Sequence, residues 1–369
     1  MLTHATAAQL DPAPHAPAAR LAFLDDLRGL AALAVFVAHS IQIGFAYYEP
    51  PFRWFDLGQF GVVLFFLCSG FIIPMSLERA PARSGPLRSF WVRRVCRLYP
   101  LYWLSIALVL LSYAIGWEER SPYINSGSPA AIIANLTMLQ GLFGQPHLLT
   151  VYWTLFFELL FYGVVSLLFA LGTHMHTVRH TVALLLLTIF TQLILPLTIG
   201  LHFPISFLSN LAVMFVGTAL CRYHQREISG RTAWQVVLLM LAMLLATGWE
   251  SPAALAARVT ALAIFGAGLL LSDRPQPGSL LYRGRISYSF YLLHPFVLTA
   301  IQPLPSYSAS LLVWSVVTIA LAAATYRWVE QPGIALGRRL TRTSAATPVH
   351  VDKLLGSRDD MLPAAAQGD

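Results

Sequence analysis

Ten stretches of about 20 mostly apolar residues run through this sequence, at 29–48, 58–77, 99–117, 149–171, 181–200, 204–222, 234–249, 253–272, 286–303 and 308–327. Each is about long enough to cross the ~30 Å hydrocarbon core of a bilayer as a helix. In that core a backbone satisfies its hydrogen bonds only within helices or a closed barrel. The runs are continuous rather than alternating, which selects helices. The expected fold is therefore all-α, a polytopic membrane bundle of about ten transmembrane helices. Composition agrees: 57% of the 369 residues are hydrophobic and 11% charged, against about a quarter charged in a soluble domain.

The loops orient the bundle. Arg79, Arg83, Arg88, Arg93, Arg94 and Arg97 follow the second run, and Arg179 follows the fourth. Arg222, Arg226 and Arg231 follow the sixth; Arg274, Arg283 and Arg285 follow the eighth. The intervening loops hold little beyond Arg53 and Arg120, while Arg258 lies just inside the eighth run, where it can reach outward. Lys and Arg collect in cytoplasmic loops, so both termini are expected in the cytoplasm. The net charge of +7 is then a topology signal, and no nucleic-acid partner is expected.

Residues 1–22, rich in Ala and Pro, lack the basic start and apolar centre of a secretory leader. They are expected as a disordered cytoplasmic tail, with residues 23–335 as the membrane domain and 336–369 as a polar cytoplasmic tail. Cys68, Cys96 and Cys221 are widely spaced in or beside apolar runs and are expected in the core. They form neither a disulfide framework nor a metal-binding spacing, so no metal is expected. Ser69 and Gly70 suit close helix packing. The apolar part of the long third loop, residues 130–143, is expected as a re-entrant or interfacial helix. Its Asn135-Leu136-Thr137 sequon is too short a pattern to carry weight.

Ionisable residues inside apolar runs mark function. Arg28 heads the first run in "LDDLRGLAALAVFVAHS", and His39 follows eleven residues on, about 16 Å deeper. Glu158, in "VYWTLFFELLFY", lies roughly 14 Å from the outer end of the fourth run, at similar depth. A His39–Glu158 pair would relieve an unpaired buried carboxylate and orient an imidazole as a base. A packing pair without chemistry is the alternative. His294, followed by Pro295 in the ninth run, is expected to be structural. In "FWVRRVCRLYP", Arg94 and Arg97 would share a face if the segment is helical, with Arg93 adjacent. Arginine forks suit phosphate oxygens. Topology control alone would explain their charge, but not their position tight against the third run.

These blocks together resemble the acyltransferase-3 family of ten-span bacterial membrane acyltransferases, over about residues 21–335. Arg28 and His39 meet its Arg-x10-His pattern, and "GQFGVVLFFLCSGFII" resembles its second-span block. "FWVRRVCRLYPLYW" resembles its arginine-rich block before the third span, and Trp153 with Glu158 meets its Trp-x4-Glu block. "ISYSFYLLHP" and "YRWVEQP", with Glu330 and Pro332, resemble its closing blocks. One departure is visible: Thr154 to Phe157 reads Thr-Leu-Phe-Phe rather than Ser-Leu-Ser-x, giving Glu158 more apolar surroundings and more need of a partner.

The resemblance implies an O-acyltransferase of the bacterial inner membrane. It would move an acyl group, usually acetyl, from cytoplasmic acetyl-CoA or another acyl-CoA to a sugar hydroxyl of a polysaccharide or lipid-linked oligosaccharide. Acyl-CoA is a co-substrate rather than a permanently bound cofactor, and membrane lipid is the surrounding partner. On this reading Arg28, Arg93, Arg94 and Arg97 hold the phosphates of acyl-CoA, and His39, oriented by Glu158, is the general base. An acyl-histidine relay is the variant route. Some members carry an extracytoplasmic hydrolase-like domain that this sequence does not show, so the chain is expected to act alone or with a separate partner. An ion-coupled transporter or glycan carrier with no covalent chemistry is the rival class. The spans show no internal two-fold symmetry to favour it.

Overall fold

The computed structural model describes residues 21–44, 54–80, 85–117, 119, 121–199, 205–248, 251–272 and 278–342. Most of the two expected tails, and Arg53, Arg83, Arg120 and Arg274, lie outside the described residues.

The chain folds as helices throughout: α1 (Ala22–Gly44), α2 (Leu57–Glu78), α3 (Pro86–Ala114), α4 (Pro129–Leu136), α5 (Tyr152–Ala170), α6 (Thr177–Ile189), α7 (Leu195–Ile199), α8 (Ile205–His224), α9 (Gly230–Thr247), α10 (Pro252–Leu270), α11 (Gly278–Ala300), α12 (Tyr307–Thr325) and α13 (Gln331–Thr341). Single π-helical turns join α6 to α7 and α12 to α13. Among the described residues no sheet forms, only one antiparallel bridge between Ile124 and Leu149. Among the described residues, eight helical stretches, with His174–Thr198 and Tyr307–Thr341 each taken as continuous, are long and apolar enough to cross a membrane. α8 and α11 occupy the other two apolar runs. The protein is a multi-pass membrane helix bundle.

Two helices begin well before their apolar runs. α1 starts at Ala22 because Phe23, Leu24 and Leu27 are buried, although Asp25, Asp26 and Arg28 lower the local hydropathy. α3 starts at Pro86, so the arginine-rich block is helical and continues through Pro100. A hydropathy window undervalues both segments because Asp25, Arg28, Arg93, Arg94 and Arg97 line a cavity within the protein. At the other end of the chain α13 runs to Thr341, past the boundary expected at 335, with Gly333 against the Cys96 carbonyl of α3.

The centre of the bundle is α2, which packs on α1, α8 and α10, while α1 also packs on α11. Small residues permit this. A Cβ on Gly70 would overlap the Met214 carbonyl of α8, and one on Gly217 would overlap the Leu67 carbonyl of α2. The Thr218 hydroxyl donates to the Gly70 carbonyl across the same contact at 2.9 Å. The end of α2 is tied to the end of α8 by Arg222, 3% exposed, whose guanidinium bonds Glu78 on α2 and Glu227. Cys68 and Cys221 are buried and Cys96 is half-buried.

The segment after α3 folds over the opposite end of the bundle. It contains α4 and a 3-10 turn at Gln140–Phe143, where a re-entrant or interfacial helix was expected. Asn135 is fully buried and serves as its linchpin. Its amide nitrogen donates to the carbonyls of Ala131 and Pro146 at 2.8 and 2.9 Å, and its Oδ1 accepts from the Leu148 N–H. The sequon is therefore a folding element, closed to glycosylation in the folded chain. Tyr102 of α3 donates to the Asn135 carbonyl, and Tyr123 donates to the His39 carbonyl.

Candidate functional site

Two constellations of ionisable side chains lie at different levels of α1. The first is a cavity of about 550 Å³ at the arginine-rich end. Arg28, Arg79, Arg93, Arg94, Arg97, Arg285 and Arg338 line it, against only Asp25 and Glu330 among the acids. These arginines come from both ends of the sequence: from α1, the end of α2, α3, α11 and α13. The gathering of cations in one concavity is what a polyanionic ligand requires, because field lines focus between low-dielectric walls.

Each of the three adjacent arginines on α3 is held differently. Arg93 Nε donates to Thr341 Oγ1 on α13 at 2.8 Å. Arg94 lies over the rings of Phe90 and Tyr162, 5.4 and 5.3 Å from their centroids. Arg97 Nε is 3.8 Å from Glu330 Oε1. Glu330 is 1% exposed and sits on the π-helical turn between α12 and α13, where it also accepts from Ser289 Oγ at 3.0 Å. The extra residue of the π turn aims this carboxylate inward. Arg94 is thus held by its guanidinium on two rings and Arg97 by the Glu330 carboxylate, both in the cavity lining, whereas Arg93 is bonded to Thr341.

The second constellation is a histidine pair. His39 Nδ1 and His294 Nε2 are 2.8 Å apart, with ring planes only 29° apart. His294 is fully buried, and His39 is half-buried. The Tyr123 ring lies 4.8 Å from that of His39, tilted by 31°, and Phe36 meets His294 edge-on. His39 is five residues from the end of α1, beneath the segment that caps the bundle. The arginine cavity is lined on α1 as far as Arg28, about 16 Å of helix rise from His39.

The expected His39–Glu158 pair does not form. The Glu158 carboxylate accepts a hydrogen bond from Tyr162 on its own helix. It lies within electrostatic range of Arg28 and Arg97. Counting residues from either face gives depth but not azimuth. α5 packs on α2 and α8, whereas α1 packs on α2 and α11, so the two helices share a neighbour rather than a face. The partner His39 does find, His294, had been expected to be structural.

The structure thus brings Arg28, Arg93, Arg94, Arg97 and Glu158 together and sets His39 apart from them. It adds four residues to the picture. Arg79 and Arg285 carry a sequence signal only as loop charges, and Arg338 falls in a segment expected to be a tail. Glu330 had a signal in "YRWVEQP", a lone acid between apolar and aromatic residues. Among the described residues no cluster of metal-ligating side chains occurs.

The sequence model of the "Acyltransferase domain" family matches residues 21–327, nearly the whole membrane bundle. The chain belongs to the acyltransferase family. It is 30% identical over 152 residues to "Acyltransferase MdmB" of Streptomyces mycarofaciens, a match spanning 39% of this chain and 38% of that protein. It is 33% identical over 90 residues to "Peptidoglycan O-acetyltransferase OatA" of Listeria monocytogenes, covering 24% of this chain and 13% of the relative. It is 30% identical over 171 residues to "Putative peptidoglycan O-acetyltransferase YrhL" of Bacillus subtilis, covering 43% and 25%. The matched stretches span well under half of each of these three relatives. No solved structure matches the chain.

Proposed function

We propose that this protein is a membrane O-acyltransferase that moves an acyl group, acetyl first among candidates, from acyl-CoA to a hydroxyl of a cell-envelope or extracellular glycan precursor. The observation that carries the reading is the seven-arginine cavity opening at one end of a helix whose far half bears a half-buried histidine. CoA carries a pyrophosphate and a 3′-phosphate on one side and a thioester on a long flexible arm on the other. Arg28, Arg94 and Arg97 hold the phosphates, with Arg79, Arg93, Arg285 and Arg338 at the mouth. The excess of arginine at this end supports a mouth open to the cytoplasm, where acyl-CoA is made. Glu158 and Glu330 keep the inner arginines oriented and partly neutralised.

The chemistry at His39 is then acid–base. His39 Nε2 takes the proton of the acceptor hydroxyl as its oxygen attacks the thioester carbonyl. The C–S bond breaks, and the CoA thiolate leaves with the proton returned by the His39 imidazolium. The products are an ester and free CoA. The relatives named as O-acetyltransferases favour acetyl as the acyl group and a sugar hydroxyl as the acceptor.

The test is transfer of labelled acetyl from acetyl-CoA to glycan in membranes holding equal amounts of folded wild-type and His39→Ala protein. Label that depends on His39 supports the reading. Equal label in both removes His39 from the chemistry, and no label in either returns weight to a carrier without covalent chemistry.

A further inference from the structure

We infer that His294 is a positioning residue for His39: it fixes the tautomer that leaves His39 Nε2 bare to act as base. The inference rests on the acyl-transfer reading above and extends it to a residue whose sequence context pointed only to structure.

The argument starts from Pro295. Proline has no N–H, so the carbonyl four residues back, that of Tyr291, loses its helical donor. α11 continues through this position to Ala300. His294 Nδ1 is buried and makes no hydrogen bond of standard geometry. The carbonyls of Tyr291 and Phe290 are the backbone acceptors that interact with its ring. In that setting the proton belongs on Nδ1, directed at the carbonyl freed by proline. A neutral imidazole with Nδ1–H has its lone pair on Nε2.

That lone pair points at His39 Nδ1, 2.8 Å away. A contact of this length needs one proton between the two nitrogens, so His39 carries it on Nδ1 and donates. The small angle between the rings, 29°, keeps the N–H near the plane of the acceptor. His39 Nε2 is then unprotonated. Among the described residues it has no hydrogen-bond partner, and it is not enclosed as His294 Nδ1 is. It is the nitrogen a substrate hydroxyl can meet.

When Nε2 takes a proton, His39 becomes a cation that still donates through Nδ1. Its acceptor is a neutral imidazole, in the place where soluble triads use a carboxylate. Full burial favours this substitution, since an ionised carboxylate at the fully buried His294 position would be costly to desolvate. Tyr123 also holds this residue, by its hydroxyl on the His39 carbonyl at 2.6 Å and by its ring 4.8 Å from the imidazole.

The experiment uses the full chain in membranes. His294→Phe keeps a ring and removes the acceptor; His294→Gln restores an oxygen four bonds from Cα, where Nε2 lies. The expected result for His294→Phe is a fall in kcat of about 10²- to 10⁴-fold, with KM for acetyl-CoA within about twofold of wild type, because the arginine cavity is remote. His294→Gln should regain about tenfold or more. Activity of His294→Phe within twofold of wild type would overturn the inference, as would equal loss in both variants. A second measurement needs neither variant to fold nor turnover: ¹⁵N NMR of histidine-labelled wild type, the His39 signals assigned by their loss in His39→Gln. The unprotonated nitrogen of His39 should be Nε2; finding it at Nδ1 overturns the inference. Wild-type protein that shows the expected tautomer but transfers no acetyl would fault the functional reading and leave the geometry standing.

Discussion

The arginine cavity makes a quantitative demand on ligand binding. Consider Arg94→Ala with Arg97→Ala. Seven arginines face two carboxylates in the lining, a formal surplus of five positive charges that the double variant cuts to three. Arg97 is 27% exposed and Arg94 is half-buried over two aromatic rings, so both forks are preorganised and partly desolvated. Hydrogen bonds to charged groups contribute about 1.5–3 kcal/mol each. Losing one from each side chain should weaken CoA binding by about 3–6 kcal/mol, or about 10²- to 10⁴-fold. Arg93→Ala should cost less, about tenfold, because its Nε is already bonded to Thr341. The assay is thermal stabilisation of purified protein titrated with CoA, which reads affinity through linkage. It is run beside dephospho-CoA and at two salt concentrations, since the attraction between exposed charges should be screened. Affinity within twofold of wild type for the double variant, or no salt dependence in the wild type, would refute the phosphate assignment.

Other outcomes follow from single contacts. Gly70→Ala should lower the melting temperature, because its Cβ would overlap the Met214 carbonyl and overpacking costs about 1–3 kcal/mol; an unchanged melting curve in detergent would refute the close approach of α2 and α8. Arg222→Ala leaves Glu78 without its buried partner, a loss of about 3–5 kcal/mol; folded yield should fall, and adding Glu78→Gln should recover part of it. Asn135→Ala removes three hydrogen bonds to the backbone and should destabilise the capping segment, seen as faster proteolysis between Ser121 and Thr150. His147, in that segment, accepts from the Gln140 amide through Nδ1 at 2.8 Å, and burial holds its pKa below the usual histidine value. The unfolded chain therefore takes up the proton first. Its contribution to stability is complete above about pH 6.5 and declines as pH falls; His147→Gln should flatten the melting temperature between pH 7 and 5.

Much of this protein is written in one dimension. Apolar runs of bilayer length fix helices, because lipid offers the backbone no other partner. Arginine spacing orders the loops, and the quoted blocks point to the acyltransferase family that the sequence comparison assigns over residues 21–327. Arg28, Arg93, Arg94 and Arg97 were legible as a set of cations beside apolar runs, and they line one cavity. What went unread was where charge changes the meaning of hydropathy. The starts of α1 and α3 read as loop, since Asp25, Arg28, Arg93, Arg94 and Arg97 lower the hydropathy while lining a cavity inside the bundle.

Sequence by itself determined the helix bundle and its membrane setting, because length and apolarity act along the chain. Only the tertiary structure decided neighbours. Depth is a coordinate along the helix axis, while partnership depends on which face each helix turns to which other. That is set by small-residue contacts such as Gly70 on Met214, whose pairing nothing in local sequence specifies. So Glu158 turned to Tyr162 and the arginines rather than to His39. His294, held in α11 one residue before the proline that frees a carbonyl, took the place beside His39 instead.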